Sequence, residues 1–154
     1  MEINKRSIFQ GAKLGSPFAL VYTNFMRRII FFDGICPLCN GFVDFVIKRD
    51  QRHLFLFSSI QSNYAKNNLE ATHLGLDSII LKENDQVFTR STAVLRIFFQ
   101  LGGYWNVLAV FASISPRWIR DYFYVAVAKN RYRIWGQREF CRLPTAEEKA
   151  LFLE

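Results

Sequence analysis

The stretch Ile29-Ile30-Phe31-Phe32-Asp33-Gly34-Ile35-Cys36-Pro37-Leu38-Cys39-Asn40 decides how the chain is read. Its first four residues are a short apolar block of the kind found in a fully buried strand. Asp33-Gly34 ends the block as a turn. From Pro37 the period changes, and Leu38, Phe42, Phe45, Val46 and Arg49 fall at helical spacing. Proline suits the first helical position because its missing N–H would have no partner there. Cys36 then becomes the N-cap and Cys39 the third residue inside the helix. Backbone N–H groups and the positive end of the helix dipole converge on the Cys36 sulfur and favour its thiolate. Cys39 lies one turn on, within reach of a mixed disulfide on Cys36. The expectation is a redox dithiol in which Cys36 attacks and Cys39 resolves.

Further along, Leu54 to Phe57 reads as a second buried strand and Ser62 to Leu69 as a short helix. Ser78 to Leu81 and Gln86 to Thr89 read as a hairpin around a polar loop, Lys82-Glu83-Asn84-Asp85. Ser91 is the expected cap of a helix that Gly102-Gly103 stops. A Trp-containing helical stretch from Tyr104 to Ile114, a longer helix opened by Pro116 and a last short helix after Pro144 complete the chain. The order β-α-β-α-β-β-α, with C-x-x-C at the junction of first strand and first helix, is that of an α/β thioredoxin-like core with additional C-terminal helices. Residues 1–25 have no clear periodicity and are expected to be a flexible extension, leaving 26–154 as a single domain.

Composition bounds the function. A chain of 154 residues that is 51% hydrophobic and 16% aromatic can bury a substantial core. Its net charge is +7. Between Arg117 and Arg142 seven basic residues stand against Asp121 and Glu139, a net +5. Such a block suits an acidic partner or anionic lipid, but a solvated face whose Arg stems cover aromatic rings is the plainer expectation. No nucleic-acid motif accompanies it, so none is expected as a partner. Val94 to Ile114 is interrupted by Arg96 and Gly102-Gly103 and is too short and broken for a transmembrane span. Peripheral membrane contact stays open. Three cysteines are too few and odd for a disulfide-stapled scaffold, and no signal peptide is evident, so the cytoplasm is expected.

Several residues around the dithiol have competing readings. Asp33 could accept the Cys39 proton during resolution, or accept N–H bonds and shape the turn with Gly34. Because the last strand should run parallel to the first, Arg90-Ser91 should begin its helix on the same side of the sheet as Cys36. There they could bind a substrate carboxylate, or be an exposed cation and an ordinary cap. Cys141, His53 and His73 could complete a zinc site with the pair. They lack a second C-x-x-C or an H-x₃-H spacing, so neither a metal nor a cofactor beyond the Cys36–Cys39 disulfide and an external thiol reductant is expected. Cys141 reads as a third redox thiol or, more simply, as a small buried hydrophobe.

Together these residues resemble the DCC family of thiol-disulfide oxidoreductases, named for an Asp-Cys-Cys signature. That signature here is Asp33-Gly34-Ile35-Cys36-Pro37-Leu38-Cys39, and the resemblance runs on through Arg90-Ser91-Thr92-Ala93, Leu101-Gly102-Gly103, Arg120-Asp121 and Asn130-Arg131-Tyr132-Arg133 to Cys141. It implies a thioredoxin-like fold and a redox role for Cys36 and Cys39. Thioredoxins proper place a cis-proline before the third strand to hold an extended substrate peptide, whereas here Leu76-Asp77-Ser78 occupies that slot. The substrate, a thiol or disulfide, is therefore either a protein or a small molecule. A second reading is a non-enzymatic thioredoxin-like module that docks a partner or membrane surface through its basic, aromatic C-terminal helices.

Overall fold

Strand β1 (Arg28–Phe32) is buried on both faces, which explains its unbroken apolar run. Alternate residues serve different layers. Ile30 and Phe32 join Phe55, Phe57 and Leu81 beneath one set of helices, while Ile29 and Phe31 join Ile80 beneath another. Each phenylalanine buried this way contributes about 1.5–3 kcal/mol. The computed structural model describes residues 28–74, 78–136, 144–146 and 148–153. The N-terminal 1–25, Leu76, Asp77 and Cys141 lie outside the described residues.

Helix α1 (Pro37–Arg49) crosses to β2 (Phe55–Ser59), which pairs parallel to β1 with Phe57 opposite Ile30. Two short helices, α2 (Asn63–Asn68) and α3 (Ala71–Leu74), lead to β3 (Ile80–Glu83), antiparallel to the other side of β1. Strand β4 (Gln86–Thr89) pairs antiparallel to β3, giving the order β2-β1-β3-β4. This α/β sheet with its helices is compatible with the thioredoxin-like core that the element order predicts. Two reversals make β4 parallel to β1, so α4 (Arg90–Leu101) starts at the same sheet end as α1.

Helices α1 and α4 cover one sheet face and α2 with α3 the other. Helix α5 (Gly103–Ile114) packs on α4, and α6 (Arg117–Trp135) returns across α4 and α1. After a 3₁₀ turn (Glu148–Leu151), Phe152 docks beside β2, where the Leu153 N–H donates to Phe57 O at 2.8 Å and Ser58 Oγ donates to Leu153 O at 2.7 Å. No described helix is long and apolar enough to cross a membrane.

Three local expectations change. Lys82 and Glu83 belong to β3 rather than to the loop, because Lys82 Nζ donates to Asn68 O and the buried Glu83 carboxylate meets Arg28 and Arg96. The hairpin narrows to Asn84-Asp85, with Asn84 left-handed at φ 53°. The cap of α4 is Thr89, without a side-chain bond, since the Ser91 hydroxyl is turned to Asp121. Helix α1 buries Cys39, Val43 and Val46 against the sheet. Of its predicted stripe, Leu38, Phe42, Phe45, Val46 and Arg49, Val46 does face the sheet, while Phe42 and Phe45 meet Phe98 of α4 and Phe45 also meets Trp105 of α5.

Candidate active site

The turn from β1 into α1 is held by a closed set of hydrogen bonds. Gln61 clamps it from after β2: its Oε1 accepts the Gly34 N–H at 3.2 Å and its Nε2 donates to Asp33 Oδ1 at 2.9 Å. The Ile35 N–H donates to the same Asp33 oxygen at 3.2 Å, the bond an Asx turn uses. The Cys36 N–H donates to Asp33 O, and the buried Asn40 side chain donates to Gly34 O at 2.9 Å. Gly34 is buried at the centre of this lattice.

The lattice fixes Cys36 as N-cap of α1 with Pro37 at the helix start. The Cys36 sulfur accepts the Cys39 N–H at 3.4 Å, a contact that supports negative charge on that sulfur. Cys36 is fully buried and Cys39 is 5% exposed. Burial, helped by a hydrogen bond to the Cys36 sulfur and by that sulfur's charge, pushes the Cys39 thiol up to about 12. The nearby Arg131 guanidinium acts in the opposite sense on the same thiol.

Arg131, which the sequence showed within the Asn130-Arg131-Tyr132-Arg133 motif but with no role beside the cysteines, completes the site. It comes from the far end of α6 and is 2% exposed. One guanidinium nitrogen donates to Asp33 Oδ2 at 2.9 Å and to the Tyr132 hydroxyl at 2.8 Å. Tyr132 in turn donates to Asp33 Oδ2. Both oxygens of Asp33 are thus engaged, two donors on each. Arg131 gains from its bond to Tyr132 and from the thiols beside it, which outweigh its burial and raise its pKa. Buried charges persist only when paired and hydrogen-bonded in this way.

A cavity of about 690 Å³ opens beside Cys39. Most of its wall is apolar, from α1 (Leu38, Phe42), α4 (Val94, Phe98) and α6 (Phe123, Val127). Its polar groups are Cys39, Ser91, Arg120, Tyr124 and Arg131. Ser91 therefore does reach the site, although its hydroxyl is bonded to the Asp121 carboxylate. Arg90 is exposed, takes a left-handed φ of 55° at the start of α4, and does not line the cavity. The Tyr124 hydroxyl accepts the Ile79 N–H at 2.8 Å, beside Cys39. Tyr124 and Gln61 carried no sequence signal, because their partners are tertiary. His73 and His53 stay outside this constellation, and no metal-binding group of three His, Cys, Asp or Glu occurs among the described residues.

Comparison with known proteins gives a consistent result. A family model described as DCC1-like thiol-disulfide oxidoreductase matches residues 30–137. An uncharacterized Bacillus subtilis protein, YuxK, is 40% identical over 130 residues, covering 82% of this chain and 94% of its own. A chloroplastic DCC family protein of Arabidopsis thaliana is 38% identical over 120 residues, covering 76% of this chain and 70% of its own. No solved structure matches the chain.

Proposed function

The chain belongs to the DCC1-like thiol-disulfide oxidoreductase family, and from that premise we propose that it exchanges thiols and disulfides through Cys36 as nucleophile and Cys39 as resolving thiol. The observation that carries the reading is the N-cap contact, in which the Cys36 sulfur accepts the Cys39 N–H at the head of α1. Charge is thereby supported on Cys36, while Cys39 is kept protonated beside it.

In the reducing direction, the Cys36 thiolate attacks one sulfur of a substrate disulfide. A mixed disulfide forms and the first substrate thiolate leaves. Cys39 then gives up its proton to the departing thiolate and attacks the Cys36 sulfur. The Cys36–Cys39 bond forms, the second substrate thiolate is released, and two electrons have passed to the substrate. An external thiol returns the pair to the dithiol. The cation of Arg131 eases the proton loss from Cys39, and Asp33 acts as a positioning residue that holds Arg131 in place. Gly34, Pro37 and Gln61 keep the turn in shape.

The apolar cavity at Cys39 suits a compact apolar thiol or disulfide better than an extended peptide. The Ile79 N–H, just past the slot where thioredoxins use their cis-proline, is already given to Tyr124. Mixed-disulfide trapping tests the assignment. Cys39→Ser incubated with a small aromatic disulfide should accumulate an adduct on Cys36, read by peptide mass, and Cys36→Ser should accumulate far less. An adduct found on Cys39 instead would reverse the two roles.

A further inference from the structure

Helix α5 carries no charged residue, and half of it faces water. From Ile97 to Pro116 no residue is charged. The inner side of α5, with Trp105, Leu108 and Ala109, packs toward α4 and the cavity. Its outer side carries Tyr104, Val107, Phe111 and Ile114 at helical spacing, with Ile114 75% exposed. With Asn106 and Ser113 as its only strongly polar side chains, a helix this apolar is out of keeping with half exposure to water. Helix α6 continues the surface with Trp118, Tyr122 and Phe123, the first of them 72% exposed. Among the described residues, every exposed large hydrophobic except Phe99 lies on α5 or α6. A patch of this kind on a protein in water marks an interaction site.

We propose that the outer face of α5 and α6 docks on an anionic lipid bilayer surface. Charge complementarity chooses that occupant. Between residues 103 and 135 the basic side chains are Arg117, Arg120, Lys129, Arg131 and Arg133, and the one acidic side chain is Asp121. Asp121 is engaged by Arg117 at 3.5 Å and by Ser91. Lys129 and Arg133 are exposed on the same helix as the bare rings. Aromatic rings beside exposed cations match the layer where acyl chains meet anionic headgroups. A second copy of the chain would bring the same positive rim against itself, which electrostatics opposes. No described helix is long and apolar enough to cross the bilayer, so contact is in its surface plane.

The docking stands on exposed residues and does not need the dithiol reading. One consequence does rest on that reading: Phe123 and Val127 both line the Cys39 cavity and are exposed on the docking face, so a docked molecule opens its cavity toward lipid.

Sedimentation of the full chain with vesicles is the test. Binding is expected to vesicles of phosphatidylcholine and phosphatidylglycerol in equal parts, to weaken at high salt, and to be much poorer with phosphatidylcholine alone. Tryptophan fluorescence should shift to the blue as Trp118 enters the interface. Phe111→Ala with Trp118→Ala, both at exposed positions, should weaken binding about tenfold or more, and Lys129→Glu with Arg133→Glu about tenfold. Light scattering should show a monomer without lipid. The proposal fails if neither vesicle binds, or if the aromatic variant binds like the wild type. It fails equally if the chain is a dimer that the aromatic variant dissociates, since a second copy then covers the face. Thiol oxidation of the same sample reports separately on Cys36 and Cys39.

Discussion

The guanidinium of Arg131 meets the carboxylate of Asp33 at 2.9 Å, joining residues 98 apart in the chain. Both side chains are almost wholly buried. The pair ties the last long helix to the turn that presents the two cysteines, and it sets a cation beside Cys39. Removing one partner leaves an uncompensated buried charge. Arg131→Met is therefore expected to cost about 3–5 kcal/mol in urea unfolding, and Asp33→Asn a comparable amount. The double variant should recover much of the loss, because neither charge is then stranded. A double variant as unstable as the sum of the singles contradicts the pairing.

Burial holds the Cys39 thiol near 12 and the Tyr124 phenol, despite its bond from Ile79, also near 12. In the unfolded chain these groups ionise near about 8.5 and about 10. The native state thus binds more protons than the unfolded state between pH about 8.5 and about 12. Stability is unaffected below pH about 8.5 and falls as pH rises toward 12. The melting temperature of the reduced protein should decline across this window, and Cys39→Ser should flatten the lower part of the decline. A profile that is equally steep in the variant contradicts the raised thiol.

The Tyr124 hydroxyl accepts the Ile79 N–H. Tyr124→Phe leaves that N–H without its acceptor, which costs about 1–3 kcal/mol. It also frees a backbone donor beside Cys39. Turnover of a peptide disulfide should rise relative to a small aromatic disulfide, measured as the ratio of the two kcat/KM values. An unchanged ratio removes Ile79 from substrate selection.

Gly102 closes α4 and opens α5 at φ 72°, and a β-carbon there would meet nothing within 4 Å. Its ψ of −168° lies outside the left-handed helical region, in one open essentially to glycine alone. Gly102→Ala and Gly102→Asn are therefore both expected to cost about 1–3 kcal/mol, from backbone conformation alone. A clearly smaller loss for Asn in thermal unfolding contradicts this account of the α4–α5 joint.

Legibility in the sequence followed the range of the interactions. The β1–α1 junction is local, so the buried run, the Asp-Gly turn and Pro37 revealed Cys36 as a cap. The hairpin was read too wide because Lys82 and Glu83 look like loop residues until Asn68, Arg28 and Arg96 satisfy them. Ser91 looked like a cap because nothing local shows that Asp121, 30 residues on, takes its hydroxyl. Arg131 counted as one more cation in a basic block and as part of the Asn130-Arg131-Tyr132-Arg133 motif, with no role at the cysteines, since its partner lies at the other end of the domain. The block was expected to lay its Arg stems over aromatic rings. Arg131 does lie over the Tyr132 ring, but as a buried residue; Arg120 and Arg131 line the cavity, and Trp118 and Tyr122 are left bare.

The central claim is that Cys36 and Cys39 form one reversible redox couple. Equilibrating the purified protein across glutathione poises, trapping thiols and reading the mass tests it most directly. The account predicts a two-electron transition to an intramolecular disulfide, absent in Cys36→Ser and in Cys39→Ser, at a potential roughly between −200 and −270 mV. Failure to form a Cys36–Cys39 bond at any poise would contradict it.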